Sequence, residues 1–271
     1  MDESHSSVLL PRKNKKDRFF YFSCLLLTFF LLLQNAGCKP EWNVLSSKER
    51  QVLGRIQNHS EIWIPEKKKD GTAPLIHFED LYRGLGPEES RFLDRVRALR
   101  PKDRIYVGEA DTKILFKRIE NQWIEKKGVR SPVDPQYLPQ PVFEACEKMM
   151  MAMKEGLGKR LFVESGYRSP AYQLYTFLYF LPKHGYSIQE TRRWVALPGY
   201  SEHGDPAHQA IDFVNQDGVN GDDRAEDFEI LPEYHWLLAH AREFDFKLSY
   251  PRGTPGTTFE PWHWRYTASE S

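Results

Sequence analysis

Cysteine is scarce in this chain, with three in 271 residues, and net charge is absent, because 38 Asp and Glu offset 38 Lys and Arg. The first scarcity excludes a disulfide-stapled fold. Cys24 and Cys38 lie at the N-terminal end, and Cys146 stands alone in VFEACEKMMMAMK with no partner for an intramolecular bridge. Its setting beside Met149, Met150, Met151 and Met153 predicts a packed core residue rather than a nucleophile. The absence of net charge removes any global case for nucleic acid or for an acidic partner, so a charge-based function must be local. No internal repeat is visible. The long apolar run, FFYFSCLLLTFFLLL at 19–33, is 15 residues, short of the roughly 20 that a spanning helix needs.

That run nevertheless has a reading. Arg12, Lys13, Lys15, Lys16 and Arg18 precede it, and QNAGC follows, ending at Cys38. A basic segment, an apolar segment and small residues before a cysteine predict an export signal over residues 1–37. NAGC resembles the lipobox of bacterial lipoproteins, which implies lipidation of Cys38, although Asn35 stands where that motif usually carries Leu. The expectation is an exported lipoprotein of a bacterial cell envelope, anchored to the membrane through lipid.

At 40% hydrophobic, the remainder can bury a core in one domain or two small ones. Residues 38–130 are rich in charge and carry no chemical motif, and are read as an N-terminal accessory region. A helix is predicted in PEESRFLDRVRAL, opened by Pro87. Short strands are predicted in RIYVG and in TKILFKRIENQWIEK. SPVDPQYLPQP, residues 131–141, holds four prolines and reads as a linker or extended lead-in that begins a second domain, 131–271. There a helix at 142–156 is expected to stop at Gly156. RLFVES, QAIDFV and FKLSYP read as strands, SPAYQLYTFLYFL and EYHWLLAHAREF as helices, and SIQE as a capping box. The mixture lacks a regular βαβ alternation, so the fold class is α+β.

The chemistry gathers in three places. FEPWHWRYT, residues 259–267, sets Glu260 three positions before His263 among aromatic rings. His203 in PGYSEHG and Asp212 in AIDF add two more potential ligands. Hydrolytic zinc sites draw three ligands from His, Asp, Glu or Cys, and His203, Asp212 and His263 make such a set. Packing alone could also account for the aromatic segment.

The wording around these residues goes further. SGYRSPAYQ at 165–173, PGYSEHGDPAHQAIDF at 198–213 and EPWHWRY at 260–266 follow one another in an order that resembles the VanY-type D-Ala-D-Ala carboxypeptidases, zinc peptidases related in fold to VanX dipeptidases and the Hedgehog N-domain. The resemblance spans roughly residues 135–271 and implies a small antiparallel sheet flanked by helices. It also implies Zn2+ held by His203, Asp212 and His263, Glu260 as general base, and Arg168 on the scissile carbonyl or the substrate. One departure stands out: eight residues separate His203 from Asp212 where the family has six, and His208 occupies the place of a family glycine. His208 is therefore a rival ligand. Gln173 and Ser201 have donors suited to a substrate carboxylate or peptide, and equally suit a helix-surface amide and a loop cap. Trp262 and Trp264 are expected to wall the site. The implied reaction removes the terminal D-alanine from the peptidoglycan stem peptide. An L,D-carboxypeptidase, a cross-link endopeptidase, or an inactive wall-binding lipoprotein are the alternatives.

Overall fold

The computed structural model describes residues 42–101, 106, 114–221, 224–254 and 258–267. The export segment, Cys38 and all of RIYVG except Tyr106 lie outside them. Among the described residues, no helix is long and apolar enough to cross a membrane. Residues 43–271 pack as one compact unit, and the change in composition near residue 130 marks no break in that packing.

The accessory region is a helical layer. Helix α1 (Ser47–Ser60) opens on a capping box in which Ser46 and Glu49 satisfy each other's backbone N–H. It buries Val52, Leu53 and Ile56. Two short helices follow, α2 (Ile64–Lys69), formed by the lysine run, and α3 (Phe78–Tyr82). Helix α4 (Pro87–Arg97) begins at its proline as predicted and presents Phe92, Leu93 and Val96 to the interior.

The proline-rich stretch is not a linker. Strand β1 (Phe116–Ile119) pairs antiparallel with β4 (Gln136–Pro139), and β2 (Trp123–Lys126) pairs with β3 (Val129–Pro132). Lys127 and Gly128 both have positive φ, the conformation that a tight two-residue hairpin turn requires. Pro132 and Pro139 fall on the terminal pairs of their ladders, where a missing N–H is tolerated. That position is why the prolines do not exclude pairing.

Helix α5 (Gln140–Leu157) turns Val142, Cys146, Met149, Met150 and Met153 inward. Its cap falls two residues later than expected. Gly158, not Gly156, takes the left-handed conformation at φ 73° and donates its N–H to the Lys154 carbonyl, while Gly156 remains inside the helix against Trp236. Either glycine satisfies the sequence pattern, and the left-handed φ at Gly158 marks it as the cap.

A four-stranded antiparallel sheet lies against α5. It is built from β5 (Phe162–Ser165) and β6 (Ala210–Val214), joined later by β7 (Phe246–Leu248) and β8 (His263–Tyr266), in the order β5-β6-β8-β7. Val163, Ile211, Phe213, Phe246 and Trp264 face the helix and form the core with its methionines. Alternation along each strand sends Asp212 and His263 to the opposite face. Helix α6 (Pro170–Phe180), capped by Ser169, ties this body to the helical layer, since Gln57 donates to the Leu178 carbonyl at 3.0 Å. SIQE forms only half of the expected capping box, with Ser187 accepting from the Glu190 N–H while the Glu190 carboxylate turns to Arg193 and Trp194, and its helix α7 runs only over Ile188–Thr191. Helices α8 (Ala225–Glu229) and α9 (Pro232–His240) close the far side.

Burial pushes the Cys146 thiol up to about 12, so it is expected to stay unreactive toward Ellman's reagent until the protein is denatured. Met149→Ala, at a site with no solvent exposure, is expected to cost about 2–5 kcal/mol of stability, read as a lower urea midpoint at unchanged slope.

Candidate metal centre

The register of two strands assembles the site. Asp212 on β6 lies directly opposite His263 on β8, and His203 arrives from a 3-10 turn at Glu202–Gly204 that follows Ser201. His263 Nδ1 is 2.8 Å from Asp212 Oδ1, and His203 Nε2 is 3.1 Å from Asp212 Oδ2. One donor atom from each of the three side chains falls within 4.8 Å of the others.

Each imidazole is oriented from behind. His203 Nδ1 lies 2.8 Å from the Gly166 carbonyl, which can only accept, so Nδ1 carries the proton and the Nε2 lone pair faces the cluster. That Nε2 is buried and lacks a hydrogen bond. His263 Nε2 lies 2.9 Å from Glu202 Oε2, which turns its Nδ1 toward Asp212. Two imidazoles with their outer nitrogens tied to oxygen acceptors, and their inner nitrogens converging with a carboxylate, form the donor set of a zinc site. The residues present therefore fit Zn2+. Gly166 has to be glycine for this, because a Cβ there would lie 2.4 Å from the Tyr137 carbonyl.

The electrostatics agree with a cation site. Burial, reinforced by the nearby Arg168 charge, pulls the His203 imidazole down to about 4, so it stays neutral and available as a ligand. Burial opposes ionisation of Asp212, but the two histidines outweigh it and hold the carboxyl well below its ordinary range. Burial likewise opposes charge on Glu202 and on His263. Their mutual hydrogen bond and attraction prevail, lowering Glu202 to about 2 and, with Asp212, raising His263 well above its ordinary value. The cluster thus favours one added positive charge between its carboxylates, which a proton on His263 or a metal ion can supply.

Glu260 reaches the same place through a turn. The His263 N–H donates to the Glu260 carbonyl at 3.1 Å, closing a bend over Pro261 and Trp262. The Glu260 carboxylate is left 3.8 Å from His263 Nδ1. Trp262 joins the wall as expected. Trp264 does not, because the next position on a strand faces the other way, and its ring lies in the core 2% exposed.

The remaining candidates are distributed around a cleft of about 750 Å³. Arg168 lines it, with a backbone N–H to the His203 carbonyl at 2.9 Å and a buried Nε without a hydrogen bond. Gln173 lines it too, its amide donating to the Ala196 carbonyl at 2.7 Å while its Oε1 is buried and unpaired. Ser201 accepts from the His203 N–H at 3.3 Å, the cap role allowed for it in the sequence. His208 stands apart from the cluster, paired at 3.0 Å with Asp205 in an outward loop. The two extra residues of this loop are absorbed by Asp205, which accepts from the Ala207 and His208 N–H groups, while buried Gln209 ties its base to the His203 and Ala210 carbonyls. Sequence reasoning missed Glu202 and the Gly166 carbonyl. Glu202 had a visible signal, being the acid directly before a ligand in the Ser-Glu-His wording.

Comparison with known proteins agrees in extent with these motifs. Residues 135–269 match the family model for VanY, D-alanyl-D-alanine carboxypeptidase. The bifunctional D-Ala-D-Ala dipeptidase and carboxypeptidase VanXYC of Enterococcus gallinarum is 30% identical over 133 residues, covering 48% of this chain and 67% of that protein. A D-alanyl-D-alanine carboxypeptidase of Enterococcus faecalis is 35% identical over 85 residues, covering 30% of this chain and 28% of that protein. The D,D-pentapeptidase VanY of a VanB-type resistance cassette, solved with Zn(II), is 26% identical with a TM-score of 0.40, covering 50% of this chain and 75% of that one. By sequence, the chain belongs to the VanY family of D-alanyl-D-alanine carboxypeptidases.

Proposed function

We propose that this protein is a zinc-dependent carboxypeptidase that removes the terminal D-alanine from peptidoglycan stem peptides. The observation that carries this reading is the convergence of His203, Asp212 and His263 with a glutamate 3.8 Å away in a cleft that Arg168 also lines. Bound zinc supplies a Lewis acid that polarises a carbonyl and acidifies water.

The chain's own residues do the rest. Glu260 accepts the proton of the attacking water and delivers it to the leaving amine. Arg168 places a positive charge beside the scissile carbonyl oxygen, where negative charge develops, and the surrounding protein excludes the water that would screen it. Gln173 Oε1 offers an acceptor to a peptide N–H. Glu202 and the Gly166 carbonyl fix the orientation of the two histidines. The protein acts outside the cytoplasmic membrane, held by lipid on Cys38. Supporting this are the basic and apolar leader, the cysteine after NAGC, and a substrate class that resides there.

Purified protein is expected to bind one zinc ion and to release a single alanine from a pentapeptide muropeptide, with loss of activity on chelation. Release from a tetrapeptide alone would move the assignment to L,D cleavage, and zinc binding without release from either would turn it to cross-linked substrates. Glu260→Gln is expected to retain zinc and to lower kcat about 10²–10⁴-fold, and an inert wild type without zinc would overturn the enzyme reading. Glu202→Gln is expected to weaken zinc binding about 10–100-fold. Because His263 is raised well above its ordinary value and must lose a proton to ligate, zinc affinity rises with pH until His263 is neutral. Removing Glu202 withdraws support from the imidazolium, so in Glu202→Gln the decline on acidification begins at lower pH, as read by a competitive chelator titration.

A further inference from the structure

Beside the cleft at the metal centre lies a second one of about 400 Å³, and Glu164, Ser165, Arg168 and Thr176 line both. The compartments therefore meet at Arg168. A register shift in the ladder between Val163 and Ser165 explains how two successive β5 residues, Glu164 and Ser165, both line the clefts, since a bulge re-aims side chains that would otherwise alternate. The outer walls of the second compartment include Lys68, Pro74, Ile124, Val133 and Asp134. All five precede the family-matched segment, which begins at residue 135.

These walls are fixed in place. Gly71 has φ 75°, and a Cβ on it would lie 2.7 Å from the Pro135 side chain, so the turn after α2 sits in direct contact with the lead-in to β4. The following segment is bolted to the residue after Arg168: the Ser169 N–H donates to the Pro74 carbonyl at 2.8 Å, and its hydroxyl donates to the Ile76 carbonyl at 2.6 Å. A compartment with such walls exists before any ligand arrives.

We propose that this compartment holds the peptide residues on the amino side of the scissile bond, making the accessory region part of the substrate site. The proposal rests on the peptidase reading above. A carboxypeptidase that releases one residue needs room for only that residue beyond the bond it cuts. A second compartment on the other side of Arg168 is larger than that and suits the part of the substrate that stays. It offers both signs of charge, in Lys68 and Arg168 against Asp134 and Glu164, which fits a peptide bearing carboxylates and an amine.

The test compares a short probe, an N-acylated D-Ala-D-Ala, with the full pentapeptide muropeptide. Val133→Trp fills the compartment, and Lys68→Ala removes an exposed charge with little risk to folding. Each variant is expected to raise KM for the pentapeptide about tenfold at unchanged kcat, and to leave the short probe unaffected. Equal effects on both probes, or none on either, would overturn the proposal. Calorimetric binding to the zinc-loaded Glu260→Gln protein separates this from failure of the peptidase reading. The pentapeptide is expected to bind more tightly than the short probe, and that advantage is expected to vanish in the added Val133→Trp change. If wild type cleaves neither probe yet this advantage appears and vanishes as stated, the peptidase reading fails and the compartment stands. Equal affinity for the two probes sinks the compartment.

Discussion

The antiparallel pairing of β6 with β8 is the constraint on which the rest of the centre depends. Its register sets Asp212 opposite His263 and Ile211 opposite Trp264, so one pair faces the cleft while the next faces the core. A slip of one residue would send the carboxylate and imidazole into a hydrophobic interior and the indole into solvent. Apolar packing against α5 therefore does more than stabilise the sheet. By holding Ile211, Phe213 and Trp264, it selects the one register in which the two ligands meet.

Placing those groups together carries an electrostatic cost, and the arrangement of partners shows how it is offset. A buried carboxylate without a countercharge would be strongly disfavoured. Asp212 has its countercharge in His263 at 2.8 Å, and His263 in turn has Glu202 at 2.9 Å, while His203 lies 3.1 Å away on the other carboxylate oxygen. The two histidines are not equivalent. His203 is tied to a neutral carbonyl and kept uncharged, while His263 lies between two carboxylates and is biased toward charge. One ligand is permanently ready for a metal and the other exchanges a proton for it, so protons and metal compete at a single imidazole.

The parts of this site that were legible in the sequence are those written in contiguous segments. Glu260 and His263 lie within one turn of chain, and Ser201 and His203 within another, so residue type and the motif wording around them already pointed to them, while Glu202 between the latter two was passed over. The strands QAIDFV and RLFVES were visible through their apolar content. What remained hidden was set by contacts remote in sequence. No local pattern shows that the Gly166 carbonyl meets His203, 37 positions away, or that Trp264 turns from the site that its neighbour enters. The proline-rich segment misled because proline density marks loops on average, whereas here Pro132 and Pro139 occupy the ladder ends. The choice between His203 and His208 as the candidate ligand likewise needed the loop's own hydrogen bonds, in which Asp205 turns His208 outward.

Four consecutive residues, Gly166 to Ser169, connect the metal centre to everything around it. The Gly166 N–H donates to Gln136 Oε1 at 3.1 Å, and its carbonyl orients His203. Tyr167 donates to the Tyr137 carbonyl at 2.7 Å, and Arg168 donates to the His203 carbonyl at 2.9 Å. Ser169 binds the segment at 74–76 from the helical layer. A strip held at each residue has little freedom to drift, which is what a guanidinium needs if its charge is to meet a developing one without reorganisation. The accessory region and β4 thus act on the site mechanically, by holding the backbone that carries Arg168. A chain retaining the three motifs but lacking residues 43–130 would keep the ligands' sequence and lose two of the anchors of this strip, at Pro74 and Ile76.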